Sequence, residues 1–353
     1  MEWKITADTA KLLGRTAELD GTLWLSYSAS GAEWICRDSE CTIKLAGDSL
    51  SGDPVHSPRY AIELDGYRIA EETMGSTEES VHVTCGDGSG NTGVVVRMLK
   101  LSESADSTMG IVSVICDTKP EATPKKQRTI EFIGDSITCG YGVDGVLGDL
   151  YSTANEDATK AYAYLTAQKT DADYSLVSFS GYGIISGYTE SGIRRIDSLV
   201  PPVYRTMGDS FGAFADRVKP KEMAWDFAKL QPDLVVINLG TNDASYCGED
   251  VARQREYIDE YKRFLQTVRI CNPGAQILCA LGIMDQRLCE AMEQAAREYR
   301  EESGDEHIAT MRFALQDMEN DGAAVDWHPS AVTHKKAAEQ LTAFLFDRYF
   351  GKE

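Results

Sequence analysis

The chain has 353 residues, is 42% hydrophobic and carries a formal net charge of -21, enough apolar mass for one large domain or two ordinary ones. That acidity argues against nucleic acid and anionic membranes as partners, because phosphate binding calls for a basic surface. No apolar run reaches transmembrane length, and no basic-then-apolar leader opens the chain at Met1-Glu2-Trp3-Lys4. A cytoplasmic location is the expectation, although a secreted protein trimmed of its leader reads the same.

From Trp3 to about Asp117 the pattern is alternation broken by turns. Leu23-Trp24-Leu25, Glu33-Trp34-Ile35-Cys36, Val81-His82-Val83-Thr84, Gly93 to Lys100 and Gly110 to Cys116 are short strands. Ala61-Ile62-Glu63-Leu64 and Tyr67-Arg68-Ile69 flank Asp65-Gly66, whose tolerance of positive φ marks a tight hairpin. Short strands without a convincing helix predict an antiparallel β-sandwich over 1–118. Trp3, Trp24 and Trp34 read as core, with a sugar-stacking platform as the alternative. His82 alternates with apolar neighbours as a half-exposed strand residue. The polar stretch 119–128, with Pro120 and Pro124, reads as a linker.

Residues 129–353 change rhythm to strand and helix in alternation, the pattern of a doubly wound α/β domain. Ile130 to Gly134 is an apolar strand ending at Asp135-Ser136. Glu156 to Ala167 is helical by propensity, with an acidic first turn. Tyr174 to Phe179 is a strand ending at Ser180-Gly181, and Leu234 to Leu239 is one ending at Gly240-Thr241-Asn242-Asp243. An amphipathic helix runs from about Asp250 to Ile270, with Val251, Ile258, Tyr261, Leu265 and Val268 on one stripe. A strand at Ala275 to Leu281 and a helix at about Gln286 to Glu302 follow. Asp326-Trp327-His328-Pro329-Ser330 then leads into a last helix reaching Phe350.

Three strand ends and one late loop thus offer Ser136, Gly181, Asn242 and His328 to one rim. Acyl transfer needs an oxygen nucleophile, a base for its proton and donors for the oxyanion. Ser136 supplies the first and His328 the second, since imidazole titrates near neutral pH. The donors are the backbone N–H of Ser136, that of Gly181, where no Cβ obstructs approach, and the Asn242 amide. Asp326 is placed to orient His328 through Nδ1. Asp135 reads as structural, and His334, the rival base, as a residue on a solvated helix face. Each residue also has a plainer reading: a turn glycine at 181, a cap at Asn242, a surface histidine at 328.

No metal and no cofactor is expected, because Asp326, His328 and His334 are too few and wrongly spaced for zinc. The nine cysteines are odd in number, scattered and without a Cys-x-x-Cys pair. They match neither a disulfide framework nor a zinc motif, and read as small core residues of a reducing compartment.

Gly134-Asp135-Ser136-Ile137-Thr138, Ser180-Gly181, Gly240-Thr241-Asn242-Asp243 and His328 resemble, in order, the four blocks of the SGNH (GDSL-type) hydrolases. Most of that superfamily carries Asp-x-x-His, whereas here Val325 holds that position and the acid is Asp326. This variation, with a leading β-sandwich and Gly134 to Gly142, resembles carbohydrate esterase family two, as do Gly14-Arg15-Thr16, Asp65-Gly66, Lys100 to Glu103 and Ala161-Tyr162-Ala163. The resemblance implies a jelly-roll domain beside a flavodoxin-like SGNH domain. It also implies an acetyl esterase acting on acetylated carbohydrate, often at a sugar 6-hydroxyl, with Ser136 as nucleophile, Gly181 and Asn242 in the oxyanion hole, His328 as base and Asp326 as its partner. A Ser–His dyad is the alternative to a triad. Trp327 is the candidate substrate-binding aromatic, its plainer role a plug under the last helix.

The alternatives are an esterase or thioesterase for non-sugar esters, a carbohydrate-binding protein without useful hydrolysis, and acyl transfer to a sugar. Oligomeric state is not legible.

Overall fold

In the computed structural model, which describes residues 1–86 and 93–351, the apolar run around Ile133 is the central strand of a parallel sheet. This strand, Arg128–Gly134 (β1), pairs with Ala172–Ser178 (β2) on one side and Leu234–Asn238 (β3) on the other. Gln276–Ile283 (β4) pairs with β3, and Ile308–Leu315 (β5) with β4, all in parallel. Ile130, Phe132, Ile133, Val235, Val236 and Ile237 are all fully buried, as strands covered on both faces must be. The strand order β2-β1-β3-β4-β5 reverses direction between β1 and β3. At such a reversal an open α/β sheet leaves a crevice beyond its strand ends.

The helix Val251–Cys271 opens on an Asp250 cap that accepts the Ala252 and Arg253 N–H groups, and it buries Tyr257, Ile258, Tyr261, Phe264, Leu265 and Val268. Val251, expected on that stripe, is exposed because it is the first helical residue, beyond the packed face. The helix expected from Glu156 is shorter, Tyr162–Lys169. Glu156 is buried, accepting the Glu103 N–H and the Tyr151 hydroxyl, and Asp157 is buried against Arg68. Tertiary pairing has displaced the helical preference of those acids.

Two antiparallel sheets make up the first part of the chain, a jelly-roll-like sandwich. One runs Thr16–Leu19, Thr22–Leu25, Met109–Ile115, Glu40–Gly47, Glu78–Thr84, with Glu2–Trp3 also on Met109–Ile115; the other runs Glu121–Ala122, Gly31–Cys36, Val94–Lys100, Arg59–Leu64, Tyr67–Thr73, with Lys11–Leu13 also on Gly31–Cys36. Asp65 and Gly66 adopt φ of 48° and 83°, the positive pair that the hairpin requires. Trp24 and Trp34 lie in the core and His82 stands largely exposed.

Residues 1–126, 151–158 and 205–225 group as one compact unit, and 127–150, 159–204 and 226–353 as the other. The unit boundary therefore departs from the expected 1–118, 119–128 and 129–353. Two segments that follow the stretch read as a linker belong to the sandwich unit, and Glu121–Ala122 within that stretch is itself a strand on Gly31–Cys36. Trp34→Ala is expected to cost about 3–5 kcal/mol of stability, as large aromatic truncations in cores do, and His82→Ala less than about 0.5 kcal/mol. Denaturant midpoints of the two variants check the contrast.

Candidate active site

Three elements of the site follow strand ends in the parallel sheet, and the fourth, His328, stands in a late loop. After β1, the Asp135 carboxylate accepts the Ile137 N–H at 3.0 Å, capping the short helix Ser136–Cys139. That turn holds Ser136 nearly buried. The chain then passes through Gly142 (φ +60°), where a Cβ would meet Val325 Cβ at 2.5 Å. Glycine thus lets the loop that carries the histidine lie against the loop that carries the serine.

His328 Nε2 stands 2.8 Å from Ser136 Oγ. Its Nδ1 faces the backbone carbonyl oxygen of Val325 at 3.1 Å. A carbonyl only accepts, so Nδ1 carries the proton and Nε2 is left with a lone pair aimed at the serine hydroxyl.

The Asp326 carboxylate, expected at Nδ1, lies elsewhere: it accepts the Tyr141 hydroxyl at 2.9 Å. The cause is in the backbone. Asp326 and Trp327 both take left-handed φ, 50° and 66°, which turns the Asp326 side chain outward and leaves the Val325 carbonyl under the ring. Two such residues in succession cost on the order of 1–3 kcal/mol each. The loop is fixed by bonds from Ala324 N to His328 O, His328 N to Val325 O, and Gln316 Nε2 to Trp327 O.

Tyr141 is a site residue that the motif contained but sequence reasoning assigned no role. Its ring lies 4.4 Å from the His328 ring, tilted by 36°, while its hydroxyl holds Asp326. Only its place in the Gly-Tyr-Gly phrase after the serine hinted at it. Trp327 is exposed, so it is not a plug beneath the last helix.

Gly181, after β2, has φ +78° and open space where a Cβ would stand. Among the described residues, the N–H groups of Ser136 and Gly181 donate to no protein acceptor. Asn242, after β3, gives one amide hydrogen to Tyr182 O at 2.8 Å, and its amide makes a long 3.5 Å approach to Asp135. Asp243, which the sequence reading quoted without a role, organises this region. Its buried carboxylate accepts the N–H groups of Ile184, Ile185 and Ser186 at 2.7–3.1 Å, clamping the loop that follows Gly181.

Burial pushes Asp243 up to about 6 and, with the neighbouring charge of Asp243, pushes Asp135 up to about 7. Burial also lowers His328 below the ordinary imidazole value; the Val325 carbonyl and the Asp326 charge oppose that shift. His334 does not lie on a solvated face. It is buried, accepts the Tyr162 N–H at Nδ1, and is pushed down to about 3 by burial and by His328. It is a neutral core acceptor. Chemically, the arrangement offers an oxygen nucleophile, a neutral base on it, and unspent N–H donors on neighbouring strand ends.

Comparison with known proteins supplies the family. A family model described as "GDSL-like Lipase/Acylhydrolase family" matches residues 132–336, and the chain belongs to that family. It is 31% identical over 316 residues, 87% of its length, to "Cellulase/esterase CelE" of Acetivibrio thermocellus, and spans 35% of the length of that curated relative. Among solved structures, it resembles an acetyl xylan esterase from the rumen bacterium Butyrivibrio proteoclasticus, with 26% identity, a TM-score of 0.85 and coverage of 99% of this chain and 97% of that one. It also resembles a family two carbohydrate esterase from Clostridium thermocellum, solved in complex with cellohexaose, with 26% identity, a TM-score of 0.80 and coverage of 96% and 98%. The likeness to carbohydrate esterase family two therefore extends over both units. No helix among the described residues is long and apolar enough to cross a membrane.

His328 is expected to titrate below the ordinary imidazole range when followed by NMR of its ring nitrogens. Asp326→Asn should lower it further, because that carboxylate favours the imidazolium. An upward move would contradict this electrostatic assignment.

Proposed function

We propose that this chain is a serine esterase that removes acetyl groups from carbohydrates, through an acyl-enzyme on Ser136. The observation that carries the reading is the 2.8 Å approach of His328 Nε2 to Ser136 Oγ, with the imidazole tautomer fixed by a backbone carbonyl. The names of the similar proteins, an acetyl xylan esterase and a carbohydrate esterase, supply the substrate class.

In this reading Ser136 Oγ attacks the acetyl carbonyl as His328 Nε2 takes the hydroxyl proton. Nδ1–H stays on the Val325 carbonyl throughout. The tetrahedral oxyanion is received by the N–H groups of Ser136 and Gly181 and by the second Asn242 amide hydrogen, drawn from its long 3.5 Å approach to Asp135. The imidazolium formed lies against the face of Tyr141, with the Asp326 charge nearby. It returns its proton to the departing sugar oxygen, the C–O ester bond breaks, and acetyl remains on Ser136. Water then enters and attacks the acyl carbonyl as Nε2 takes its proton; the imidazolium returns that proton to Ser136 Oγ as the serine–acyl C–O bond breaks, and acetate leaves. His328 and Ser136 carry the reaction; Tyr141 and Asp326 position the base.

Trp327 stands exposed one residue before the base, and an indole face there suits stacking on a sugar ring. A primary 6-hydroxyl ester fits an approach that leaves the ring on the tryptophan and extends the acetyl toward Ser136.

Acetate release from acetylated xylan, glucomannan, mannose and glucose should greatly exceed turnover of butyryl and octanoyl p-nitrophenyl esters. Ser136→Ala should remove it. A preference for octanoate would sink the carbohydrate assignment, and equal slow release by wild type and Ser136→Ala with retained glycan binding would make the chain a binding module. Asn242→Ala should lower kcat by about 10²–10³-fold, the usual cost of one oxyanion donor. Trp327→Ala should instead raise KM for the sugar ester and leave p-nitrophenyl acetate nearly unchanged.

The acid limb of kcat/KM should fall below the ordinary imidazole range, because the base works neutral and burial keeps it neutral to lower pH. Asp326→Asn should move that limb further down, and its loss of rate should stay far short of the roughly 10⁴-fold seen where a carboxylate sets the histidine tautomer.

A further inference from the structure

Four of the nine cysteines belong to the sandwich unit, and there the chain gathers what the sequence scatters. Cys36 ends the strand Gly31–Cys36 in one sheet. Cys41 lies near the start of Glu40–Gly47 in the other, across a short turn. Cys85 follows Glu78–Thr84, which pairs with Glu40–Gly47 so that Cys41 faces Val83. Cys85, two residues on, therefore points to the same face as Val83. The Cys85 N–H bonds to Ser39 O at 2.7 Å, pinning the end of that strand against the turn. The three Sγ atoms all lie within 4.8 Å of one another, Cys41 and Cys85 at 4.0 Å, and all three residues are buried. Every one is a free thiol.

We propose that Cys36, Cys41 and Cys85 form a thiolate site for one zinc ion that ties the two sheets of the sandwich together at this end. Zinc takes thiolate sulfur at about 2.3 Å in tetrahedral geometry, which places ligand sulfurs about 3.8 Å apart. The observed separations need only a small contraction. A disulfide would need the sulfurs at about 2.05 Å and would join two of the three, leaving the third unpaired. Ordinary packing accounts for a buried cysteine singly, but not for three thiols from two sheets turned toward one point. Cys116, buried just beyond Met109–Ile115 and within electrostatic range of Cys36 and Cys85, is the candidate fourth sulfur. Its thiol now donates to Thr118 O at 3.1 Å, a bond it would give up on ligation. Binding forms the metal–sulfur bonds and releases one proton from each thiol to solvent, with no change of oxidation state. The role is structural and independent of the esterase reading, since a staple between strands leaves Ser136 and His328 untouched.

The test uses the full chain, reduced and stripped with a chelator, then titrated with Zn²⁺ for stoichiometry and with Co²⁺ as the coloured probe. About one ion per chain is expected, with sulfur-to-cobalt charge-transfer bands and tetrahedral visible bands, protection of three or four thiols from a thiol reagent, and a raised thermal midpoint with metal. Cys41→Ser should lose the bands. Cys271→Ser, on a helix end of the other unit, should keep them. Cys116→Ser separates four-sulfur from three-sulfur ligation by the shift of the visible bands. Wild-type protein that binds no metal at micromolar concentration would overturn the proposal. So would bands that persist in both Cys41→Ser and Cys85→Ser, or a Cys41–Cys85 disulfide found by mass spectrometry in protein isolated without reductant.

Discussion

The site depends on one hydrogen bond whose acceptor no side-chain substitution can remove, from His328 Nδ1 to the Val325 carbonyl. It decides which imidazole nitrogen is bare, and so whether Ser136 meets a base or a competing donor. A backbone acceptor is neutral and stabilises an imidazolium less than a carboxylate would. The deficit is offset by two groups beside the ring: the Tyr141 face at 4.4 Å, whose π-electrons attract a cation, and the Asp326 charge, which favours the protonated base. Orientation and charge stabilisation, joined in one residue in a triad, are divided here between a peptide group and a Tyr–Asp pair.

That division rests on backbone geometry. A carbonyl can be aimed only by aiming the chain, and here the chain takes two left-handed residues in succession. Such strain persists only where its surroundings over-determine it. Gly142 supplies the close approach to Val325, Tyr141 holds Asp326, and the Ala324–His328 and Gln316–Trp327 bonds fix the rest. The Gly-Tyr-Gly phrase that follows the serine therefore serves the histidine almost two hundred residues later.

The contrast between what was legible and what was not follows from this. Strand ends at Ser136, Gly181 and Asn242 were readable because parallel strands are continuous apolar runs, and small or polar residues mark where they stop. His328 was readable because few histidines compete. The partner of His328 was not, since sequence spacing is blind to the sign of φ: Asp326 sits two residues from the base yet points away from its Nδ1. Glu156 and Asp157 misled in the same manner, their helical preference overridden by Tyr151, Glu103 and Arg68. The cysteines are the third case. Local spacing registers only ligands that share a turn, whereas Cys36, Cys41 and Cys85 are brought together by strand register and a crossing between sheets.

Asp135 and Asp243 raise a last electrostatic question. Two buried carboxylates below a site proposed to stabilise an oxyanion would ordinarily oppose it. Asp243 answers by spending its lone pairs on three backbone N–H groups, so its charge is stabilised in place by dipoles while it fixes the loop that presents Gly181. Asp135 precedes the nucleophile, and burial together with Asp243 holds it near a pKa of about 7. A carboxyl so poised is partly neutral at neutral pH and still accepts the Ile137 N–H in either form. The repulsion that a fixed negative charge would exert on the developing oxyanion is correspondingly reduced. What the Gly-Asp-Ser turn contributes is thus a cap whose charge can be withdrawn without losing the turn.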